Sequence, residues 1–117
     1  MASQLSTRSD FAETFAIHVA LKASLKSRQY DKQPSVRKAA ETLCKELEAP
    51  RSIYGRQLQM LGLMEKGASI ADLGRRLRCS RRTAFRYLNH LEEADIDIKL
   101  DGGKYFVGKG MVKLMRA

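Results

Sequence analysis

Along most of the chain the apolar residues recur at helical spacing, and only after about residue 94 does the rhythm shorten to two. Asp10, with Glu13 three residues on, has the form of a capping box. Phe11, Phe15, Ile17, Val19, Leu21 and Leu25 continue a pattern that predicts a first helix over about 10–27. Its apolar residues cover a wide arc, which predicts burial on more than one side or sharing with a second chain. The polar stretch 28–34 reads as a loop. Ser35 is placed to cap a second helix with Val36, Ala39, Ala40, Leu43 and Leu47 on one stripe, and Pro50 ends or interrupts it.

A third helix follows Ser52, marked by Ile53, Leu58, Leu61 and Met64 and closed by Gly67. Ser69 caps a short fourth helix carrying Ile70, Leu73 and Leu77. After a break at Arg78 and Cys79, Ser80 caps a fifth, whose Ala84, Leu88 and Leu91 share one inward face. Residues 95–100 then alternate Ile96, Ile98 and Leu100 with Asp97 and Lys99, as a half-buried strand does. Asp101-Gly102-Gly103 signals a hairpin turn, and residues 104–107 supply the return strand. The tail, with Met111, Val112, Leu114 and Met115, reads equally as a last strand or a helical turn.

Charge adds a second layer. The chain has 117 residues and a net charge of +9, and the excess is lopsided. Residues 1–50 hold 8 basic and 6 acidic side chains, whereas residues 51–117 hold 14 and 7. Between Arg75 and Arg86 six arginines (Arg75, Arg76, Arg78, Arg81, Arg82 and Arg86) meet no acid within the run. Such a run is either a solvated helix face or a polyanion-binding surface. The planar guanidinium, suited to phosphates and guanine edges, favours the second. Two cysteines, Cys44 and Cys79, are too few for a disulfide scaffold and read as free thiols of a reducing compartment. His18 and His90 lack ligand spacing with them, so neither a metal nor another cofactor is expected. No apolar run is long enough to span a membrane, and the polar first ten residues do not resemble a signal peptide. A soluble, cytoplasmic protein is expected, nucleoid-associated if bacterial.

Three helices followed by a hairpin is the element order of a winged helix-turn-helix. Leu73 and Leu77, the helix opening Ser80-Arg81-Arg82-Thr83, and the run Leu88, Leu91, Glu92, Glu93, Ala94 resemble the DeoR-like and related winged-helix transcription regulators, over about residues 52–107. The resemblance implies a mainly α (α+β) fold with a two-stranded wing at about 96–107 and a recognition helix at about 81–93. The N-terminal helical pair precedes it. Residues 1–50 are expected to act as scaffold or dimerisation element and residues 51–117 as the DNA-binding unit. Two departures stand out: Arg78 occupies a turn that commonly holds glycine, and Gly74 and Ala84 are small for inward positions. Arg78 therefore either strains the turn or changes its conformation.

The residues themselves support the same interface. A recognition helix reaches base edges with its N-terminal residues, and its first N–H groups favour a phosphate. Ser80 and Thr83 suit phosphate contact, Arg81, Arg82 and Arg86 guanine edges or phosphates, Asn89 an adenine edge or a phosphate, and Phe85 either a thymine methyl or the domain's own core. Arg75 and Arg76 belong to the helix that crosses the backbone. Lys99 and Lys104 either reach DNA from the wing or merely guard its edge against aggregation. Tyr87 and Tyr105 read as core, contact or both.

The reading is a sequence-specific double-stranded-DNA-binding regulator, of repressor or small phage- or plasmid-control type, working as a homodimer with no small-molecule effector. A winged-helix adaptor docking an acidic protein is the alternative. RNA binding ranks lower for want of an aromatic stacking sheet or glycine clamp. No nucleophile–base pairing points to an enzyme.

Overall fold

A computed structural model describes residues 10–108 of the chain. The tail beyond 108 and the side chain of Asp10, and with them the expected capping box, lie outside the described residues. The described elements are α1 (Asp10–Lys26), α2 (Pro34–Leu47), α3 (Ile53–Met64), α4 (Ile70–Leu77), α5 (Arg81–Glu93), β1 (Ile98–Asp101) and β2 (Lys104–Val107). This is a winged helix-turn-helix, mainly helical, with an N-terminal helical pair.

Serines start three of the five helices. Ser52 Oγ accepts from Gly55 N, Ser69 Oγ from Asp72 N and Ser80 Oγ from Thr83 N, each relieving one of the donors a helix start leaves unpaired. At α4 the cap is reciprocal, because the Asp72 carboxylate also accepts from Ser69 N. Gly67, at φ +94°, closes the passage out of α3 as expected.

The core is the meeting of α3, α4 and α5. Met60, Leu61 and Met64 from α3, Leu73 and Leu77 from α4, and Ala84, Leu88 and Leu91 from α5 are buried together. Ile96 and Val107 close it from the hairpin, and Phe11 from α1 joins the same cluster. Tyr87 is core, only 3% exposed, and Tyr105 is half-buried against the cluster. Gly74 is small for a reason other than helix–helix approach. A Cβ there would lie 3.0 Å from the Cys79 carbonyl oxygen, so the residue makes room for the turn. Arg78 in that turn has φ 55° and ψ 49°, the left-handed conformation. The strained alternative is the one adopted.

In the hairpin, β1 and β2 pair antiparallel with Ile98 opposite Val107 and Asp101 opposite Lys104. The connecting Gly102 and Gly103 both have positive φ, at 58° and 78°, as a tight two-residue hairpin turn requires. A short bridge, unannounced by the sequence pattern, ties the wing to the start of α4. Ala68 N donates to Tyr105 O at 3.1 Å, and Tyr105 N to Ala68 O at 2.8 Å.

Several expectations need correction. The N-cap of α2 is Gln33, without a side-chain bond; Pro34 takes the first turn, where its missing N–H costs nothing, so Ser35 is inside the helix. The buried stripe of α2 is Ala40 and Cys44, with Leu47 half-buried, while Val36, Ala39 and Leu43 are exposed. Ile53 is exposed too. The first strand begins at Ile98; Ile96 is buried ahead of it. Leu100 is 61% exposed, because a two-stranded hairpin has nothing covering its tip.

The helical pair is locked by polar groups. His18, 3% exposed, has Nε2 2.8 Å from Glu48 Oε2 and Nδ1 2.9 Å from Tyr54 Oη. In the tautomer protonated at Nε2 the ring donates to the carboxylate and accepts from the phenol. Burial, and then the Glu48 charge, push the Tyr54 hydroxyl well above the ordinary phenol range, so it keeps the proton it donates. Both cysteines are free; burial first, then Glu48, raises the Cys44 thiol. Among the described residues no helix is long and apolar enough to cross a membrane.

Candidate nucleic-acid interface

The inward face of α5 is Ala84, Tyr87, Leu88 and Leu91. By the helical period, the opposite face carries Arg82, Phe85, Arg86 and Asn89, and all four are exposed. Arg81 projects beside them, also exposed. Among the described residues none of Arg81, Arg82 and Arg86 makes an ion pair. The Arg86 guanidinium carbon sits 5.9 Å from the centroid of the Tyr87 ring, a cation–π contact, and the residue is exposed.

Ser80 and Thr83 are engaged with each other. Besides accepting from Thr83 N, Ser80 Oγ donates to Thr83 Oγ1 at 3.1 Å. Their first duty is therefore the cap. Ser80 remains exposed and Thr83 half-buried at the helix start.

Charge is placed against the helix's own field. A helix start carries partial positive charge, so cations there are unfavourable by about 0.3–1 kcal/mol each. The first turn of α5 holds Arg81 and Arg82 and no acid, and Glu92 and Glu93 lie in its last turn. Glu93 falls in line with Arg82, Arg86 and Asn89, a neighbour missed among the candidate residues although helical spacing alone shows it.

The remaining candidates fall in two places. Arg75 is exposed, and its Nη2 donates to Asp72 Oδ1 at 2.7 Å. The hydrogen bonds from Ser69, side chain before backbone, hold the Asp72 carboxyl below the ordinary carboxylate range; the charges of Arg75 and Lys104 add to this. Arg75 is thus paired with a carboxylate of its own helix. Arg76 borders a groove of about 560 Å³ between α3 and α4, with Gly62, Leu63, Lys66 and Arg75. Lys99 is exposed on β1, opposite Phe106. Arg82, Phe85, Arg86 and Asn89 share the outer side of α5, while Arg75 and Arg76 belong to α4 and Lys99 and Lys104 to the wing.

Comparison with known proteins gives one finding. Residues 55–97, from α3 through the loop after α5, match the family model of a homeodomain-like domain. The match supports a helix-turn-helix of the DNA-binding kind without singling out a DeoR-like subtype. No curated protein and no solved structure matches the chain.

Proposed function

We propose that the chain is a sequence-specific double-stranded-DNA-binding transcription regulator, of repressor or small phage- or plasmid-control type. In this reading α5 enters the major groove, α4 crosses the backbone with Arg75 or Arg76 on a phosphate, and the wing meets the backbone or minor groove through Lys99 and Lys104. Residues 51–117 form the DNA-binding unit, similar in layout to DeoR-like regulators, and residues 1–50 the scaffold and dimerisation element. The protein acts in the cytoplasm, at the nucleoid in a bacterium. The exposed Ile17, Val36 and Leu43 on the helical pair support a homodimer, since a partner would cover them.

One observation carries the reading: three exposed arginines without carboxylate partners among the described residues, two of them at the helix end where positive charge costs stability. A phosphate-rich partner turns that cost into attraction.

Selection of bound duplexes from a random DNA pool tests it, and an enriched palindrome with half-sites about 34–36 Å, or a multiple of that, apart is the expected result for a dimer. Arg82→Ala and Arg86→Ala are each expected to weaken binding at least ten-fold, consistent with about 1–3 kcal/mol per good base contact. The thermal transition should stay within a degree or two. No enrichment, combined with capture of an acidic protein through the same arginines, would replace DNA with a protein partner.

A further inference from the structure

Phe85 is the one large apolar side chain on the outward face of α5, and it is 40% exposed. The inward positions of the helix are filled by Ala84, Tyr87, Leu88 and Leu91, Phe85 is no member of the buried core cluster, and it makes no ring contact among the described residues. By helical spacing its polar surface neighbours are Arg81, Arg82 and Asn89, all exposed, so it is no part of a broad apolar patch of the kind that docks proteins.

Base edges in the major groove present hydrogen-bonding groups to those three neighbours. They present a single apolar group, the methyl at C5 of thymine. We infer that Phe85 reads a pyrimidine C5-methyl group, supplied by thymine or by 5-methylcytosine, which carries its methyl at the same ring position. The inference rests on the DNA-binding reading above and adds to it the chemistry of one base position. Its place follows from spacing. Arg82 and Asn89 are separated by about 10 Å along the helix, at 1.5 Å per residue. That equals about three base-pair steps, and the methyl falls between the pairs those two residues address.

The test uses the full chain and the most enriched duplex from the selection. Each thymine is replaced singly by deoxyuridine, which deletes only the methyl, and each cytosine singly by 5-methylcytosine. Dissociation constants are measured for the wild type, Phe85→Ala and Phe85→Leu. At one position per recognition helix, removing a thymine methyl is expected to weaken wild-type binding about four-fold, the worth of one buried methyl group. Where that position is cytosine, adding the methyl tightens binding by the same factor. Phe85→Ala should respond less than 1.5-fold, and Phe85→Leu, which keeps an apolar surface, in between. All three proteins should melt within a few degrees of one another, because the side chain stands at an exposed position outside the buried core cluster. Thymine dependence without a gain from 5-methylcytosine at the same position assigns the methyl to thymine. A duplex bound specifically but with no methyl-sensitive position, or with equal sensitivity in Phe85→Ala, overturns the inference and leaves DNA binding standing. Failure to bind any duplex overturns the DNA-binding reading itself.

Discussion

The two helices of the helix-turn-helix, α4 and α5, obey opposite electrostatic rules. In α4 the acid lies at the start, where Asp72 completes a reciprocal cap, and Arg75 and Arg76 lie in the last turn. Both placements suit the helix field. In α5 the arginines come first and Glu92 and Glu93 last, so its ends are charged the unfavourable way round. The two share a serine cap and an inward face of aliphatic residues, so packing does not explain the reversal. A helix that only supports can satisfy every local rule; a helix that meets a polyanion keeps charges its own stability would discard.

The packing that both helices share is where a substitution should act most strongly. Leu73 is fully buried between them, and Leu73→Ala should cost about 2–5 kcal/mol in urea unfolding. Arg86→Ala, on the outward face, should change stability by less than about 0.5 kcal/mol. Comparable losses from both would mean that the outward face of α5 is structural after all, and the contrast with α4 would fail.

The turn between the helices offers a finer cut. Arg78 is held left-handed, which costs a side-chain-bearing residue about 1–2 kcal/mol; glycine escapes that cost but gives back up to about 1 kcal/mol in unfolded-chain entropy. Arg78→Gly should therefore stabilise by several tenths of a kcal/mol to about 1 kcal/mol, raising the melting temperature by a few degrees. Weaker DNA binding in the stabilised variant would show that the arginine is kept for its guanidinium. Unchanged binding would leave the strain unexplained by this interface.

The helix-turn-helix was legible in the sequence because its signals are local: Ser69, Ser80 and the spacing of Leu73, Leu77, Ala84, Leu88 and Leu91 are all read within one or two turns. The N-terminal pair was legible as two helices but not in how they pack, for two physical reasons. The partners of His18 lie 30 and 36 residues away, beyond any periodic pattern. An apolar stripe such as Val36, Ala39 and Leu43 reports only a shared face, and whether anything covers it depends on neighbours the stripe does not encode. Leu100 is the same lesson in a strand, where alternation gives the side but not the cover. At the interface, the arginines were visible as a run. Helical spacing already set Arg82 and Arg86 on one face with Phe85 and Asn89 beside them, and Ser80 as the cap; that the Thr83 hydroxyl is tied to Ser80 Oγ emerged only with the helix built.

The smallest expected effect is the most discriminating. Arg81→Glu places an acid at the start of α5 and gives it the charge order of α4. The substitution removes an unfavourable cation and adds a favourable anion, each worth about 0.3 kcal/mol at so exposed a position, for a gain of about 0.6 kcal/mol at low salt. Because the position is exposed, that gain should shrink as the ionic strength approaches 1 M, where the screening length falls to about 3 Å. DNA affinity should move the other way, falling with the lost phosphate attraction, and its salt dependence should flatten because fewer counterions are released. Stability and binding would then be exchanged at one residue. If Arg81→Glu instead lowers the melting temperature at low salt, Arg81 stabilises the fold, and the reversed charge order of α5 no longer argues for a polyanion.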